Sequence, residues 1–385
     1  MCSNMRDAFW VRLSGRTFLF RENSMKKILI KCKKIIVIIL CFLFCFCCAC
    51  TNQYDIYNET NEIKTEQFSG DGSAHNPYII ESFSNILFLE QSVNTSKIDY
   101  YGKFFIQTND IDMENYEWTP VGKNEKLSFR GNYNGNGYKI KNIKITQAQY
   151  NYSGKYAGLF GCCKENEITN VCLENIIINI NVGHVISHVG LLVGYGDQCN
   201  ITNCKSAGDI AILSDKAQAS LGGIIGTAFF SYPMSHHPVI TNCESNITIS
   251  SNSAVPNIGG IAGRTTNYDV GNCSSNNTIY YNGTMAYVGG MMGGCHNGIG
   301  GIMGVNLGGV INKCESNIDG HFKYDAKAGG IIGCSDDGVV KNCSAIGTVR
   351  KVKSNEEPEW VNLIAFDYNS QVPEDCICEI NVIFE

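Results

Sequence analysis

The chain repeats one short pattern: a glycine-rich block of the form G-G-I-I-G, a polar turn, and a strand-like run that carries Asn-Cys, with looser early copies. The blocks and the runs that follow them occupy residues 157–161 and 170–172, 189–194 and 203–204, 221–226 and 239–243, 258–263 and 270–273, and 328–333 and 339–343. A further block ends at Gly293, and the last glycines of successive blocks lie 30 to 40 residues apart. A unit of this size cannot bury its apolar side chains alone. The repetition therefore predicts a stack of similar units.

The residue types of the repeat favour strands over helices. Ile, Val, Asn, Gly and Thr dominate the units, and no stretch after residue 145 shows an amphipathic helical stripe over three turns. Strands stacked in register pair about 4.8 Å apart, which places equivalent side chains above one another. We expect an Asn at the turn before most of the recurrent cysteines, because Asn tolerates left-handed geometry. We also expect an inward column of small thiols from Cys172, Cys204, Cys243, Cys273, Cys314 and Cys343.

The glycine-rich blocks resemble the GLUG motif, a repeat of bacterial surface and secreted proteins that also occurs in regions attached to immunoglobulin A proteases. An upstream segment resembles the usual entrance to such domains, at residues 70–73, 76–80, 108–112, 118–122, 129–131 and 134–140. The resemblance covers roughly residues 68–349. It implies an all-β fold, a parallel β-helix in the form of a right-handed solenoid, and it implies no activity.

The front of the chain predicts export and a lipid anchor. Lysines follow Met25, and an unbroken apolar run from Ile35 to Ala49 has the length of a signal peptide and is short for a membrane span. The small residue before Cys50 resembles a bacterial lipobox with Cys50 as the lipidated residue, although Cys47 stands where Leu is usual. An ordinary secretory cut near Ala49 and an uncleaved anchor are the alternatives. We predict an exported, outward-facing protein held at the cell membrane by its lipid.

These features divide the chain into six parts. Residues 1–24 are interpreted as an extension upstream of the true start, 25–50 as the lipoprotein signal peptide, 51–67 as a flexible tether, 68–145 as the N-terminal cap and first coils, 146–350 as the GLUG-type repeat β-helix, and 351–385 as the C-terminal cap. Apolar residues at helical spacing within residues 82–93 predict a short N-terminal capping helix. Caps protect the open strand edges of such a stack from aggregation.

Charge and cysteine content limit the partners. After residue 50 the chain has 21 Lys and Arg against 34 Asp and Glu, a net charge of about −13, which argues against nucleic acid and anionic membrane surfaces as the main partners.

Thirteen cysteines follow Cys50, an odd number, and six of them share one repeat position. We therefore expect mostly free core thiols rather than a disulfide framework. We expect a monomer with no cofactor and no metal.

No catalytic motif is recognisable in the sequence. The His-Glu-x-x-His motif of metalloproteases is absent, and His184 and His188 lie in a strand-like run where their spacing separates them by about 13 Å. Asp110 and Asp112, which share one face of a strand, and Asp336 and Asp337 in a turn are considered for a catalytic carboxylate constellation. Asp71, Asp110 and Asp112 are considered for a weak calcium site, with a structural role for Asp110 and Asp112 as the alternative. We therefore predict that the protein is not an enzyme.

The longest turn between a glycine-rich block and its Asn-Cys run, residues 227–238, is the candidate ligand-binding loop. Its candidate residues are Phe229, Phe230, Tyr232, His236 and His237. Exposed aromatic side chains near polar groups bind glycans and proteins, whereas the alternative is that Phe229 and Phe230 pack over the coil. We predict adhesion or recognition of a glycan or of a host or matrix protein. A carbohydrate-active enzyme (a polysaccharide lyase or hydrolase) and a purely structural surface module are the alternatives.

Overall fold

The computed structural model describes residues 8–13, 16–21, 67–146, 156–181, 186–213, 218–231, 237–283, 298–322, 328–351, 361–368 and 373–384. The chain forms two compact units, Met1–Lys64 and Thr65–Glu385. The described part of the first unit is an antiparallel hairpin of β1 (Ala8–Leu13) and β2 (Arg16–Arg21). The predicted signal peptide, Cys50 and nearly all of the tether lie outside the described residues.

The second unit is built almost entirely of short strands. In chain order its first elements are β3 (Tyr78–Ile80), α1 (Phe83–Asn94), β4 (Phe104–Gln107), β5 (Ile111–Asp112), a 3-10 turn (Glu125–Leu127), β6 (Asn132–Asn134), β7 (Lys139–Lys141), β8 (Lys144–Thr146), β9 (Tyr156–Ala157), β10 (Phe160–Thr169), β11 (Cys172–Ile180), β12 (Ser187–Gly190), β13 (Val193–Thr202) and β14 (Lys205–Ile212). The remaining elements are β15 (Gln218–Gly222), β16 (Ile225–Phe229), β17 (Val239–Thr241), β18 (Glu244–Ser251), β19 (Val255–Gly259), β20 (Ala262–Thr266), β21 (Asp269–Gly271), β22 (Ser274–Tyr281), β23 (Gly298–Gly300), β24 (Met303–Asn312), β25 (Glu315–Phe322), β26 (Ala328–Lys341), β27 (Ser344–Lys351), β28 (Val361–Tyr368) and β29 (Ile377–Phe384).

These strands wind into a parallel β-solenoid, as the repeat predicts. A typical coil passes through two or three strands of a 17-stranded sheet, which we call the first sheet, and then crosses to one strand of a 10-stranded sheet, which we call the second sheet. One coil, for example, runs along β12, β13 and β14, and the next runs along β15, β16, β17 and β18. Strands of the second sheet pair in parallel with the equivalent strand of the neighbouring coil, in the order β5, β7, β11, β14, β18, β22, β25, β27 and β29.

The core contains columns of similar apolar side chains. Ile168, Ile201, Ile240, Val270, Ile311 and Val340 stand above one another in the strand register, and all are buried. Burial of each such side chain contributes roughly 2 kcal/mol. The predicted thiol column is also present: Cys204, Cys243, Cys273, Cys314 and Cys343 are buried, and Cys172 at its beginning is partly buried.

The recurrent Asn turns the chain from the first sheet into the second. Asn170, Asn203, Asn242, Asn272 and Asn342 all have φ between 51° and 55°, the left-handed region that Asn tolerates better than most residues. Their side chains also join neighbouring coils: the Asn203 Nδ2 donates to Asn170 Oδ1 (3.2 Å), and the Asn242 Nδ2 donates to Asn203 Oδ1 (3.0 Å). The predicted role of this residue as a turn former is confirmed.

The glycines of the repeat are needed because neighbouring backbones approach closely. A Cβ added to Gly222 would lie 2.8 Å from the backbone nitrogen of Gly263 in the next coil, and one added to Gly226 would lie 2.3 Å from that of Val189. The middle glycine packs against the interior of the second sheet, since a Cβ on Gly223 would lie 1.8 Å from Ser245 Oγ. The block therefore has glycine wherever stacked coils leave no space for a side chain.

The predicted capping helix is confirmed within one residue at each end. Ser82 is its N-cap, and its hydroxyl accepts a hydrogen bond from the Asn85 N–H (3.3 Å). Ile86, Leu89 and Val93 are buried. At the C-terminal end of the helix, the Asn94 Nδ2 donates a hydrogen bond to Pro120 O (2.8 Å), which ties the helix to the segment between β5 and β6.

Candidate functional site

The structure places the residues of the predicted ligand-binding loop in different environments. Phe229 is partly buried at the end of β16, and Phe230 is only 4% exposed. The Phe230 backbone is fixed to the next coil, because its N–H donates to Thr266 O (3.1 Å) and its carbonyl accepts from Asn267 Nδ2 (3.0 Å). Phe230 is therefore committed to packing, the alternative that the sequence left open. Tyr232 and His236 lie outside the described residues.

His237 is the last member of that set. Its Nδ1 lies 3.1 Å from Asp269 Oδ1, and the same oxygen accepts a hydrogen bond from the Val310 N–H (2.9 Å). This contact bridges successive coils, so His237 contributes to the stacking of the solenoid. A ligand-binding role for the loop as a whole remains a prediction.

Three of the carboxylates considered in the sequence have structural roles in turns. Asp71 Oδ1 accepts the Ser73 N–H (2.8 Å), and hydrogen bonds from Ser73 lower the pKa of Asp71. Hydrogen bonds from Asn142 and from the Glu114 N–H likewise lower the pKa of Asp112. Asp110 Oδ1 accepts the Lys139 N–H (2.9 Å). Within the described ranges, no three His, Cys, Asp or Glu side chains come together as a metal site would require.

His188 belongs to an aromatic cluster on strands of the 17-stranded sheet. Its ring stacks on Tyr156 (centroids 5.4 Å apart), lies edge-on to Tyr195 (5.5 Å), and its Nδ1 lies 2.7 Å from Thr227 Oγ1. Burial raises the pKa of Tyr195 above its ordinary value. His184, its possible partner in the sequence, lies outside the described residues.

The described surface has an open groove of about 510 Å³ along the second sheet. It begins where each strand of this sheet leaves the Asn turn, and it crosses six successive coils from β11 to β27. Its lining residues are mostly serines, asparagines and charged side chains: Cys172, Leu173, Glu174, Lys205, Ser206, Ala207, Glu244, Ser245, Asn246, Ser274, Ser275, Asn276, Glu315, Ser316, Asn317, Ser344 and Ile346. The groove therefore runs along the stack and across the strands.

A row of exposed amides runs along the groove. Asn246, Asn276 and Asn317 are in register on β18, β22 and β25, and all three are exposed. The Asn276 Nδ2 donates to Asn246 Oδ1 (3.3 Å), and the Asn317 Nδ2 donates to Asn276 Oδ1 (3.0 Å). Each amide uses only part of its hydrogen-bonding capacity in this way, since an Asn has two donor hydrogens and two acceptor lone pairs. We call these three residues the amide track.

A row of buried serines lies beside the amide track and faces the interior. Ser206, Ser245, Ser275 and Ser316 alternate with the outward residues of their strands. The Ser206 Oγ donates to Gly223 O (2.8 Å), and the Ser275 Oγ donates to Gly301 O (2.5 Å). These bonds hold the second sheet to the glycine blocks, so the floor of the groove is rigidly connected to the core.

The row next to the turn carries three of the groove's four charged side chains, the fourth being Glu174. Lys205, Glu244, Ser274, Glu315 and Ser344 are in register along the five strands from β14 to β27. Lys205 Nζ and Glu244 Oε2 form an ion pair at 2.8 Å between exposed side chains. Such an exposed pair adds little to stability.

A second cluster lies further along the same strands and on the same outer face. The rings of Tyr280 and His321 stack with their centroids 4.8 Å apart, and Tyr280 is 41% exposed. His321 Nε2 lies 3.4 Å from Asp319 Oδ2 and 3.4 Å from Arg350 Nη1, and Arg350 also pairs with Asp319. We call these four residues the ring cluster.

Sequence reasoning missed both the amide track and the ring cluster. A signal for the amide track was present in the sequence, because Ser-Asn follows the repeat cysteine after one intervening residue, at 245–246, 275–276 and 316–317. Ser faces the interior and Asn faces outward because successive side chains of a strand point to opposite faces. The ring cluster has no local signal: Tyr280, His321 and Arg350 lie on three separate strands and meet only through the register of the coils.

A comparison with protein-family models identifies the repeat. Three segments, residues 187–211, 255–280 and 327–350, match the family model of the GLUG motif. The chain therefore contains GLUG repeats, as the resemblance in the sequence predicts. Along the described part of the chain, the structure has no helix long and apolar enough to span a bilayer.

One curated relative and one solved structure are similar to this chain. A "Putative Gly-rich membrane protein" from Evansella cellulosilytica (strain ATCC 21833 / DSM 2522 / FERM P-1141 / JCM 9156 / N-4) is 31% identical over 159 residues. The match covers 39% of this chain and only 17% of the relative's length. A crystal structure of "a putative immunoglobulin A1 protease from Bacteroides ovatus" is 20% identical, with a TM-score of 0.47, and the match covers 80% of this chain and 86% of that one. Similarity at these levels gives no information on an activity.

Proposed function

We propose that this protein is a bacterial surface lipoprotein, anchored through Cys50, that recognises an extended ligand along the second sheet without catalysis. The observation that carries the proposal is the groove of about 510 Å³ that follows the solenoid axis. An extended polymer or peptide lying in it would meet the same chemical groups at every coil. Recognition of this kind requires no catalytic group, and it uses the regular surface that a solenoid provides.

The amide track supports ligand binding in particular. Its three side chains are exposed, and their bonds to one another hold them in one orientation. A ligand that bonds to groups already held in place loses less conformational freedom on binding than one that must order them. Beneath the track, Ser275 fixes β22 to the core through Gly301 O, and Ser206 fixes the nearby β14 through Gly223 O, so we expect the groove to keep its shape when the ligand binds.

A binding screen tests this proposal and separates the groove from the predicted loop. The full chain in detergent is screened against glycan arrays, bacterial polysaccharides and matrix proteins, beside two variants: Asn246→Ala/Asn276→Ala/Asn317→Ala and Phe229→Ala/Tyr232→Ala/His237→Ala. We expect a ligand whose binding is lost in the amide variant and kept in the loop variant. Loss in the loop variant alone would contradict the groove and favour the loop. Absence of any ligand would contradict recognition and favour a structural module.

The anchor is tested separately. Cys50→Ala removes the thiol that would carry the lipid, so we expect the protein to move from the membrane fraction to the soluble fraction. The measurement is fractionation of producing cells, with Cys48→Ala as the matched control because Cys48 lies two residues away in the same run. Unchanged membrane retention of the Cys50 variant would contradict lipidation at this position.

One observation favours a hydrolase as the second candidate. Glu244 and Glu315 line the same groove and are separated by a single coil, so two strand steps place their backbones about 10 Å apart. Inverting glycosidases hold two carboxyl groups about 6.5–9.5 Å apart. Glu244 is already paired with Lys205, which weakens this candidate. Release of reducing sugar that disappears in Glu315→Gln would establish the hydrolase and overturn the non-catalytic proposal.

A further inference from the structure

We infer that the ligand of this face is a neutral polysaccharide, and that one of its sugar rings stacks on Tyr280 while sugars further along its chain bond to the amide track. This inference rests on the proposed function and adds the chemical class of the ligand and the residue that anchors it. It is carried by the shape beside Tyr280, by the order within the ring cluster, and by the charge of the second sheet.

The outer face has a step at Tyr280, where a row of small side chains is followed by large ones. In the register of the coils, its position is occupied by Ala211 and Ser250 in the two preceding coils and by His321 in the following one. One face of the Tyr280 ring is covered by His321, with an angle of 22° between the ring planes. The opposite face lies on the side of the two small residues. An apolar ring face above a step of small side chains is the shape that the flat, C–H-rich face of a sugar ring fits.

The ring cluster holds Tyr280 in this position. Asp319 and Arg350 both lie 3.4 Å from His321 Nε2, and they also pair with each other. Nε2 donates to Asp319 when it carries a proton and accepts from Arg350 when it does not, so the imidazole has a partner in either tautomer. The imidazole in turn supports the tyrosine ring. A rigid aromatic side chain loses little conformational entropy on binding, which is the physical reason for its effectiveness as an anchor.

The residues between the stacking position and the groove are also suited to sugar hydroxyls. Along β22 the outward residues are Ser274, Asn276, Thr278 and Tyr280, and along β18 they are Glu244, Asn246, Thr248 and Ser250. Four residues of a strand span about 13 Å, so Asn276 and Tyr280 are separated by roughly the length of a short oligosaccharide. Amides and hydroxyls that both donate and accept match the hydroxyl groups of a glycan.

The charge of the face selects against polyanions. Across the strands from β14 to β27, the outward side chains include the carboxylates Asp209, Glu244, Glu315 and Asp319 and only two cations, Lys205 and Arg350. Both cations already lie in ion pairs, with Glu244 and Asp319. A polyanion would therefore meet a net negative surface whose cations are occupied, whereas a neutral polysaccharide carries no such penalty.

The test is a binding titration of the full chain in detergent with neutral polysaccharides (a glucan, a mannan and a galactan) and anionic ones (polygalacturonate and hyaluronan), at low and high salt. We expect a neutral polysaccharide to bind with little dependence on salt. Tyr280→Ala should weaken binding about tenfold, which is within the range that loss of an aromatic side chain stacked on a nucleic-acid base costs, and Tyr280→Phe should leave binding nearly unchanged. Ser250→Leu, which fills the step, should weaken binding as much as Tyr280→Ala does. Tyr138→Ala is the matched control, because Tyr138 is 37% exposed and lies outside the ring cluster and the groove.

The outcomes distinguish this inference from the proposed function. Binding that is lost in the amide variant but unaffected by Tyr280→Ala and Ser250→Leu would overturn the stacking position while leaving the groove in place. Binding only to polyanions, or to basic peptides, with loss at high salt would overturn the neutral ligand. Binding that none of the variants of the second sheet changes would contradict the proposed function itself. Circular dichroism of each variant checks that the solenoid is folded.

Discussion

At the scale of single residues, the repeat is explained by the space available between coils. The glycines of each block are required because the positions of their missing side chains are occupied by neighbouring backbone, and the Asn of each turn is required by a left-handed φ. Both roles were predictable from the sequence, since Gly and Asn recur where a stacked chain must bend or approach itself. The ring cluster was not predictable, because Tyr280, His321 and Arg350 have no common spacing along the chain.

The glycine explanation predicts a large difference between two substitutions of the same kind. In Gly223→Ala the new Cβ would lie 1.8 Å from Ser245 Oγ and 2.2 Å from the Gly260 carbonyl oxygen, so the coils must separate. We expect this variant to lose about 3 kcal/mol of unfolding free energy. Gly271→Ala is the control, because its nearest atoms would be at 3.6 and 3.7 Å. Denaturant unfolding of the two variants checks this, and equal stabilities would contradict the packing argument.

The Asn turns predict a graded effect of substitution. Asn242→Ala places an alanine at φ 54° and removes the hydrogen bond to Asn203, so we expect a loss of about 2 kcal/mol in unfolding free energy. Asn242→Gly relieves the left-handed backbone but still lacks the bond, and we expect it to lose about half as much. The measurement is again denaturant unfolding. An alanine variant as stable as the glycine variant would show that the left-handed geometry has no importance for stability.

At the scale of elements, the thiol column is the most regular feature of the second sheet. The thiols from Cys204 to Cys343 each donate to the carbonyl oxygen of the residue two positions earlier, at 3.2–3.6 Å. All six column cysteines, from Cys172 to Cys343, are free. The expectation of mostly free core thiols holds for the described cysteines, with one exception: Cys334, outside the column, is disulfide-bonded.

The capping helix was predictable from the sequence, at the same scale, from its N-cap serine and apolar spacing. The binding face was not predictable from the sequence. It consists of the outward residues of the strands, whereas the repeat pattern is carried by their inward residues.

The thiol column predicts that the protein is destabilised by base. The adjacent thiols and burial raise the pKa of Cys243, Cys273 and Cys314 above the ordinary value of 9.0. The unfolded chain therefore loses these protons first, so the stabilising effect is complete below about pH 9 and falls as the pH rises further. Each such thiol contributes a slope of about 1.4 kcal/mol per pH unit.

The measurement is the free energy of unfolding between pH 8 and pH 10.5 under reducing conditions. The comparison variant Cys273→Ala removes one thiol of the column, together with its effect on the pKa values of the adjacent Cys243 and Cys314. We expect a shallower loss of stability with pH in the variant than in the parent chain. If the free energy of unfolding fell equally with pH in both chains, the pKa of Cys273 would be the same in the folded and unfolded states. That result would contradict a pKa raised by adjacent thiols and burial.

At the scale of the whole molecule, the solenoid follows from the repeat and the function follows from the surface. The sequence predicts the stack because equivalent residues recur at the corners and in the core of every coil. It does not predict where a ligand binds, because the outer face is assembled from single residues of six coils, and their neighbours depend on a register that appears only in three dimensions. The groove, the amide track and the ring cluster lie on this one face, which is the physical basis for proposing recognition along the axis.

Side-chain oxidative footprinting of the full chain, with and without the polysaccharide that binds best, tests this account most directly. Tyr280 and His321 are accessible in the free protein, and we predict that both are protected in the complex while Tyr138 reacts equally in both states. Protection of Tyr280 and His321 would place the ligand on the outer face of the second sheet. Protection confined to residues 227–238, or unchanged reactivity of Tyr280 under saturating ligand, would contradict the account.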